Sequence, residues 1–399
     1  MIYLALPVGS SHGWGICGKY VAREMSGLTQ ERNAATRLIT HDFTMEMLGD
    51  ELEYLALVPL SMKQAEVQAA TVAGPAGGQL NGPLLNSIVD KQNMPLVPLR
   101  GTRTVGYTFF EENIFKPEWI ENARRHYDLV ATGSTWCTEV LKAHGLEKVE
   151  TVLQGVDQRL FYPAPERAAE REFLRDRFVI FSGGKFEYRK GQDLAIRAVK
   201  VMQERHKDVV LVNSWFNMWQ QSFETMKLSP HLKMPAASGT YFNVMNAILQ
   251  HNGVDMGRTI TLAPRNNALM ARIYRNSDVG LFPNRCEGGT NLVLMEYMAV
   301  GKPVVATATT GHADVVNAGN AWTIAIEKEQ AIPDLSVPGG KGEMVARWPE
   351  PSLESMIAQL EQAYQDRGQS EMLGRAAAQT MASMTWRKTA EDFYRLLTG

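Results

Sequence analysis

The 399-residue chain is poor in cysteine, and its three cysteines, Cys17, Cys137 and Cys286, lie far apart with no CxxC pair. That spacing excludes a disulfide framework and gives no zinc signature. The three read as buried small hydrophobes in a reducing compartment. An excess of one charge is also lacking. Forty-one Lys and Arg stand against 43 Asp and Glu, a formal net charge of -2. Nucleic-acid binders usually carry a basic excess, so no nucleic-acid partner is expected. No apolar run approaches the roughly 18 residues of a membrane helix. The first ten residues are apolar but have no basic leader and no A-x-A cleavage site, so they read as a strand rather than a signal peptide. Repeats and low-complexity tracts are missing too. The expectation is a soluble cytoplasmic protein, with peripheral membrane association left open.

What is present is ordinary globular composition, 45% hydrophobic and 21% charged, which argues against disorder. The length suggests two to three domains at roughly 150 residues each. Short apolar runs alternate with amphipathic stretches. Strands are predicted at 2–8, 54–60, 104–109, 128–132 and 149–153, with a helix over 19–25. A further helix runs from 139 to 144 behind Ser134 at the N-cap position. A second series of strands is predicted at 178–182, 209–213, 259–263, 279–282 and 304–307. Alternation of this kind implies βαβ units and mainly parallel sheets. Phe161-Tyr-Pro-Ala-Pro165 and the charged run 166–177 read as an inter-domain linker or, alternatively, a solvated helix face. The fold class is therefore α/β, with two doubly wound Rossmann-like domains facing a central cleft. A first domain spans 1–160 and a second 161–385, with a helix over 386–399 at the end. Residues 214–257 hold Trp215, Phe216, Trp219, Phe223, Tyr241 and Phe242. They form a packed insertion, an extra helical layer, or a surface for an acceptor, partner or membrane. Gly339–Gly342 reads as a loop, and two helices are expected to close the chain.

Three strand–loop–helix junctions carry candidate chemistry. Gly9-Ser-Ser-His-Gly-Trp-Gly-Ile-Cys-Gly18 lacks the GxGxxG spacing. It reads as a phosphate contact through Gly13 and Gly15 or as a tight turn. In Ser182-Gly-Gly-Lys-Phe-Glu-Tyr-Arg-Lys-Gly191, Lys185, Arg189 and Lys190 stand beside a helix start, where cations oppose the helix dipole. An anionic ligand would account for them; solvated surface charge is the alternative. In the segment Phe282–Ala306, Glu287 precedes Gly288 and Gly289, Thr290 or Asn291 can cap the next helix, and Gly301 ends it. The N–H groups near Thr290, Asn291 and Leu292 would form an anion cradle. A carboxylate beside such a cradle suits a sugar phosphate.

These motifs together resemble the retaining GT-B glycosyltransferases of the glycosyltransferase family 4 type (glycosyl transferases group 1). The resemblance rests on Phe181-Ser-Gly-Gly-Lys185 with Arg189-Lys-Gly191, on Tyr274–Pro283, on Glu287-Gly-Gly through Ala306, and on Leu153–Pro163. It weakens before Asp128, and it implies that 1–160 is the acceptor-side domain, that 161–385 binds the nucleotide sugar, and that the helix 386–399 crosses back to the first domain. Two departures stand out. Eight residues separate Glu287 from Glu296, one more than the family's usual spacing, with the extra residue in the Gly288–Asn291 loop. Lys185 stands where the family often has Arg, a point charge in place of a bidentate fork. The histidine many members carry near the anomeric centre has no counterpart around 106–113. Glu111 or Glu112 faces the cleft instead, or serves as a helix-start acid.

The resemblance implies transfer from a nucleotide-diphosphate sugar, used as co-substrate, to a glycan, lipid-linked or small-molecule acceptor. No metal and no separate cofactor is implied. Lys190 and Lys185 would stabilise the leaving diphosphate, with Arg189 and the 288–292 loop binding it. Glu287 would hold hydroxyls of the transferred sugar, and Glu296 those of the ribose. His12 is an acid–base candidate or simply a loop histidine, and Asp314 a helix cap. A non-catalytic nucleotide- or glycan-binding subunit, a nucleotide-sugar epimerase and a phosphorylase are the alternatives on the same scaffold. No convincing site for a lysine-bound pyridoxal phosphate, which a phosphorylase of the glycogen type needs, is visible.

Overall fold

In the structure, a computed structural model, residues 1–40, 43–72, 78–164, 174, 176–217, 219–236, 238–334 and 342–399 are described. The chain divides into two compact units. One comprises Met1–Val156, Gly288–Leu292 and Met384–Gly399, the other Asp157–Glu287 and Val293–Ser383. Segment 288–292, placed by sequence in the second domain, thus groups with the first unit. The linker expected over 166–177 and the loop at 339–342 lie mostly outside the described residues.

The first unit is built on a wholly parallel sheet. Its strands are β1 (Ile2–Ala5), β2 (Thr36–Ile39), β3 (Leu84–Ser87), β4 (Thr104–Thr108), β5 (Leu129–Thr132) and β6 (Val149–Thr151). Their spatial order is β2-β1-β3-β4-β5-β6. Leu4 stands opposite Leu38 on one side and Leu85 on the other. All residues of β1, β3, β4 and β5 are buried, as in strands covered on both faces. β1 stops short of the expected Val8, because Pro7 cannot donate to a ladder. The helix Gly13–Gln30 follows. A Cβ on Gly18 would collide with the Pro7 carbonyl oxygen, so only glycine lets this helix lie so close to the strand exit. Ser134 caps the helix Thr135–Ala143, its Oγ accepting the Cys137 N–H at 3.2 Å. The terminal helix Trp386–Thr398 packs on Gly13–Gln30. Trp386 stacks on Tyr20 with ring centroids 5.2 Å apart, and Phe393 meets Tyr107 edge-on at 4.7 Å.

The strand predicted at 54–60 is instead a helix, Glu51–Leu57, continued by a tight turn Val58–Leu60. Asp50 caps it, accepting the N–H groups of Leu52 and Glu53 at 2.9 and 3.0 Å, and Glu51 and Glu53 complement its first turn. Only Leu57 of this helix is buried. The strand positions are taken by β2 and β3, whose short, partly polar sequences concealed them. Asn86 and Ser87 in β3 are fully buried polar residues, and Asn86 is paired through its amide to the Val97 backbone at 2.9 Å.

The second unit has its own parallel sheet of β7 (Phe178–Gly184), β8 (Val209–Trp215), β9 (Thr259–Thr261), β10 (Val279–Phe282), β11 (Val304–Thr307) and β12 (Trp322–Ile324). Their order is β9-β8-β7-β10-β11-β12. The sequence order reverses between β7 and β10. In doubly wound sheets the crevice outside the carboxyl ends of such a strand pair is where ligands bind. The antiparallel hairpin of β13 (Ile326–Pro333) and β14 (Met344–Pro351) was not anticipated. Three helices rather than two close the chain: Leu353–Gln365, Arg367–Ala382 and Trp386–Thr398. Asp366 separates the first two, its carboxylate capping the second. Gly301, at φ +80°, follows the helix Leu292–Ala299 as predicted. The described residues of 214–257 include the helices Gln220–Glu224 and Tyr241–His251 and the 3-10 turns Thr225–Leu228 and Met256–Arg258. Trp215 is fully buried against Phe186, and Phe223 also packs on Phe186. Of the aromatic residues here, Trp215 and Phe223 pack into the second unit, whereas Trp219 and Phe242 are exposed. Among the described residues no helix is long and apolar enough to cross a membrane.

Candidate active site

The reversal point of the second sheet is where the charged motifs converge. β7 runs into Lys185 and then into the 3-10 turn Tyr188–Lys190, and Gly191 at φ +73° opens the helix Gln192–Arg205. A side chain on Gly191 would clash with the Pro283 carbonyl. β10 runs into Pro283 and continues to Glu287. The two loops are tied by backbone bonds: Arg285 and Cys286 N–H groups both donate to the Arg189 carbonyl, at 2.8 and 3.2 Å.

Lys190 and Glu287 are buried and ion-paired directly, and Asn284 also donates to the Glu287 carboxylate. Arg189 bridges two acids, 3.1 Å from Glu287 Oε2 and 2.7 Å from Glu187 Oε1. Burial pushes the Glu287 carboxyl up, but Lys190 and Arg189 outweigh it and hold it at about 2. Burial lowers the Lys190 ammonium, with Glu287 opposing. Glu187 is likewise pushed up by burial and held below the usual carboxylate range by Arg189, Lys185 and Lys190. Lys185 rests its ammonium 4.3 Å above the Trp219 ring, a cation–π contact. Three cations and two carboxylates thus occupy one crevice, an assembly that can receive an anionic ligand.

Sequence reasoning passed over the residue that fastens these loops together. Arg285 is fully buried. Its guanidinium pairs with both Asp193 oxygens at 2.8 Å and both Glu350 oxygens at 2.6 and 2.8 Å, and donates to the Tyr188 carbonyl at 2.7 Å. Its ring partner is Tyr188, at 3.9 Å. Arg285 therefore joins the cationic turn, the start of the following helix and the β14 strand of the hairpin. Tyr188 OH adds a second link to the hairpin through Gln330, 2.9 Å. The signal was present, since a lone Arg inside an otherwise buried strand exit needs carboxylate partners. Those partners lay far away in sequence.

Glu296 is buried on the helix Leu292–Ala299. Asn267 Nδ2 donates to one of its oxygens at 3.1 Å and Tyr274 OH to the other at 3.3 Å. His312, fully buried in the turn Thr310–Asp314, donates from Nδ1 to the Thr307 carbonyl at 3.1 Å. Burial lowers its pKa to about 4 despite the nearby Glu287, so the ring is neutral. Asp314 lies inside that turn rather than capping a helix.

The remaining candidates belong to the first unit. His12 occupies the N-cap position of Gly13–Gln30 but makes no capping bond with its side chain. A Cβ on Gly13 would meet nothing, whereas one on Gly15 would press on Gly9 at 2.9 Å. The tight-turn reading accounts for Gly15 by itself. Glu111 and Glu112 are half-buried in the loop after β4. The next helix begins only at Pro117, so neither is a helix-start acid. Gly288 accepts hydrogen bonds at its carbonyl from Ser134 Oγ (2.7 Å) and Cys137 Sγ (3.0 Å). A side chain on Gly288 would collide with Phe110, and one on Gly289 would lie 2.9 Å from Gln154 Oε1. Thr290 is fully buried, and Asn291 takes a left-handed φ of +62° just before Leu292 opens its helix. Among the described residues no group of three or more His, Cys, Asp or Glu is placed to hold a metal ion.

Two doubly wound parallel sheets, with a cationic crevice at the reversal point of the second, define the GT-B architecture. The likeness to solved structures bears this out. Sucrose-phosphate synthase from Thermosynechococcus elongatus matches with TM-score 0.64 at 13% identity, over 99% of this chain and 97% of the other. Anabaena Alr3699/HepE in complex with UDP and glucose matches with TM-score 0.62 at 14% identity, over 100% and 99%. The family model described as Glycosyl transferases group 1 matches residues 243–335. The D-inositol 3-phosphate glycosyltransferase of Paenarthrobacter aurescens (strain TC1) is 24% identical over 269 residues, 66% of this chain and 55% of the relative. The chain is similar to the group 1 glycosyl transferases over residues 243–335, and it spans about half the length of the curated relatives it matches.

Proposed function

We propose that this chain is a retaining, metal-independent glycosyltransferase that moves a sugar from a nucleotide-diphosphate sugar to a glycan, lipid-linked or small-molecule acceptor. The observation that carries the reading is the crevice between β7 and β10. There Arg189 and Lys190 contact Glu287, Lys185 acts on the neighbouring Glu187, and Glu296 stands on the next helix. The match of residues 243–335 to the group 1 glycosyl transferase model and the UDP and glucose named with the HepE structure support a nucleotide-sugar donor.

Breaking the donor's glycosidic bond leaves oxocarbenium character on the sugar and negative charge on the diphosphate. Preorganised cations aimed at that charge are an effective catalyst. Lys190, Arg189 and Lys185 take this role, Glu296 accepts from the ribose hydroxyls, and Glu287 accepts from hydroxyls of the transferred sugar. The acceptor oxygen bonds to the anomeric carbon on the face the phosphate leaves. Its proton passes to the departing phosphate oxygen, so configuration is kept without the carboxylate pair of retaining glycosidases.

A binding-only role has one observation in its favour: Lys190 is already engaged by Glu287. Thermal unfolding with UDP, GDP, ADP and dTDP, for the wild type and Lys190→Ala, tests the donor reading. A ligand at about 100 times its dissociation constant adds about 2.7 kcal/mol. The expected result is a shift with one nucleotide that shrinks in the variant. No shift with any nucleotide overturns the reading. A shift without sugar transfer to any offered acceptor, and without donor hydrolysis, favours the binding-only role.

A further inference from the structure

The loop that carries the cations is flanked, residue by residue, by the chain that follows β8. Asn217 Nδ2 donates to the Phe186 carbonyl at 3.1 Å. Ser222 Oγ donates to the Glu187 carboxylate. Thr225 Oγ1 accepts the Tyr188 N–H at 3.0 Å. Ser229 Oγ donates to the Asp193 carboxylate at 2.5 Å. Trp219 lies under Lys185. This arm belongs to the segment whose role the sequence left open. It contacts Lys185, Phe186, Glu187, Tyr188 and Asp193, and its one lysine among the described residues between 216 and 229, Lys227, is paired with Glu224.

One line of contacts runs through the arm into the charge cluster. Asn217 Nδ2 donates to Ser222 Oγ at 3.1 Å, and Ser222 donates onward to Glu187. Glu187 holds Arg189 at 2.7 Å, and Arg189 reaches Glu287 at 3.1 Å. Glu287 in turn takes Lys190. Arg189 has a long side chain with several rotatable bonds, and fixing its fork lowers the ordering that an anion would otherwise impose. Glu187 does that fixing only if its own carboxylate is fixed. Half of that carboxylate is held by Ser222.

We propose that Ser222 and Glu187 are positioning residues for the donor diphosphate: Ser222 fixes Glu187, and Glu187 sets the Arg189 guanidinium in the crevice. The proposal rests on the donor reading above. The two carboxylates have different tasks in it. Glu287 lies among the cations and faces substrate, whereas Glu187 lies behind Arg189 and touches no substrate.

The test uses the full chain with the same four nucleoside diphosphates, read by calorimetric affinity and by melting temperature. Ser222→Ala removes the donated bond, and Ser222→Thr restores a hydroxyl. The expected result is a roughly five- to tenfold loss of nucleoside-diphosphate affinity in Ser222→Ala, the net size of one ordinary hydrogen bond, because Ser222 acts on the ligand only through Glu187 and Arg189. Ser222→Thr should recover most of the affinity, while the melting temperatures of all three proteins stay close. Equal affinity in Ser222→Ala and wild type, with Lys190→Ala still weakened, overturns the positioning role and leaves the donor reading standing. Loss of affinity in Ser222→Ala that Ser222→Thr does not recover, with a lowered melting temperature in both, makes Ser222 a packing residue and also overturns it. Absence of nucleotide binding in the wild type removes the donor reading, and the proposal with it.

Discussion

The ammonium of Lys190 and the carboxylate of Glu287 form one ion pair, with both residues at least nine-tenths removed from solvent. Each group is thus neutralised by the other where the strand order of the second sheet reverses. An anionic ligand entering there exchanges one partner of Lys190 for another and does not meet an isolated charge. That arrangement lowers the cost of keeping a lysine buried. It also ties Glu287 to the cation it is proposed to work beside.

The pair has a pH signature. The Glu287 carboxyl is held at about 2 in the fold, against an ordinary 4.5. A depressed carboxyl stabilises the fold above its unfolded value, and that stability is lost as the pH falls from 4.5 toward 2. In Lys190→Ala the remaining Arg189 and Asn284 contacts hold Glu287 less strongly, so the acid limb should be shallower. Removal of the ammonium should also cost roughly 1–3 kcal/mol near neutral pH, less than for a lone buried pair because Arg189 stays. Urea unfolding across that pH range measures both effects. An acid limb as steep in the variant as in the wild type would show that Lys190 does not hold Glu287 ionised.

His312 acts in a separate window. Its folded pKa of about 4 lies below the ordinary 6.5, so between these values the unfolded chain binds a proton that the native chain refuses. Stability from this group is full above 6.5 and falls as the pH drops from 6.5 to 4. His312→Asn keeps an N–H for the Thr307 carbonyl and removes the titration. The variant should lose the decline between pH 6.5 and 4 while keeping the Glu287 limb at lower pH. A decline unchanged in the variant assigns that window to another group.

The framework of alternating strands and helices was legible because strands buried on both faces read as continuous apolar runs, as in 178–184 and 279–282. The cations at 185–190 and Glu287 draw notice in the sequence because they stand at strand ends and helix starts, whereas Glu296, inside the helix Leu292–Ala299, is marked only by the family resemblance. The strand read at 54–60 failed because a short apolar run fits helix and strand alike, and the Asp50 cap decides for helix. Arg285 was missed for a different reason. Asp193 and Glu350 lie on a helix and a hairpin remote from it in sequence, and only the tertiary fold brings them within bonding range.

Arg285 gives the largest stability effect expected outside the apolar core. Arg285→Met would leave Asp193 and Glu350 as two buried carboxylates without their shared cation. Breaking a buried charge network from one side costs about 3–5 kcal/mol. Arg285→Lys should recover only part, since an ammonium cannot serve two carboxylates and the Tyr188 carbonyl in the same forked geometry. Chemical unfolding of both variants checks this. A loss below 1 kcal/mol in Arg285→Met would mean that the two acids are neutralised or solvated without the guanidinium.

Glu296 separates the two ends of the proposed donor site. It is held by Asn267 and Tyr274 on the helix after the glycine loop, whereas the cations sit on the turn Tyr188–Lys190. If it accepts from ribose hydroxyls, Glu296→Ala should weaken nucleoside-diphosphate binding by about tenfold, the value of a hydrogen bond to a charged acceptor. The same variant should leave inorganic pyrophosphate affinity unchanged, because pyrophosphate has no ribose. Lys190→Ala should weaken both probes. Calorimetric titration of the two variants with the two probes gives four affinities, and only this reading makes one of the four equal to wild type. Equal weakening of pyrophosphate in Glu296→Ala would remove the ribose assignment and make Glu296 a support for the helix on which it stands.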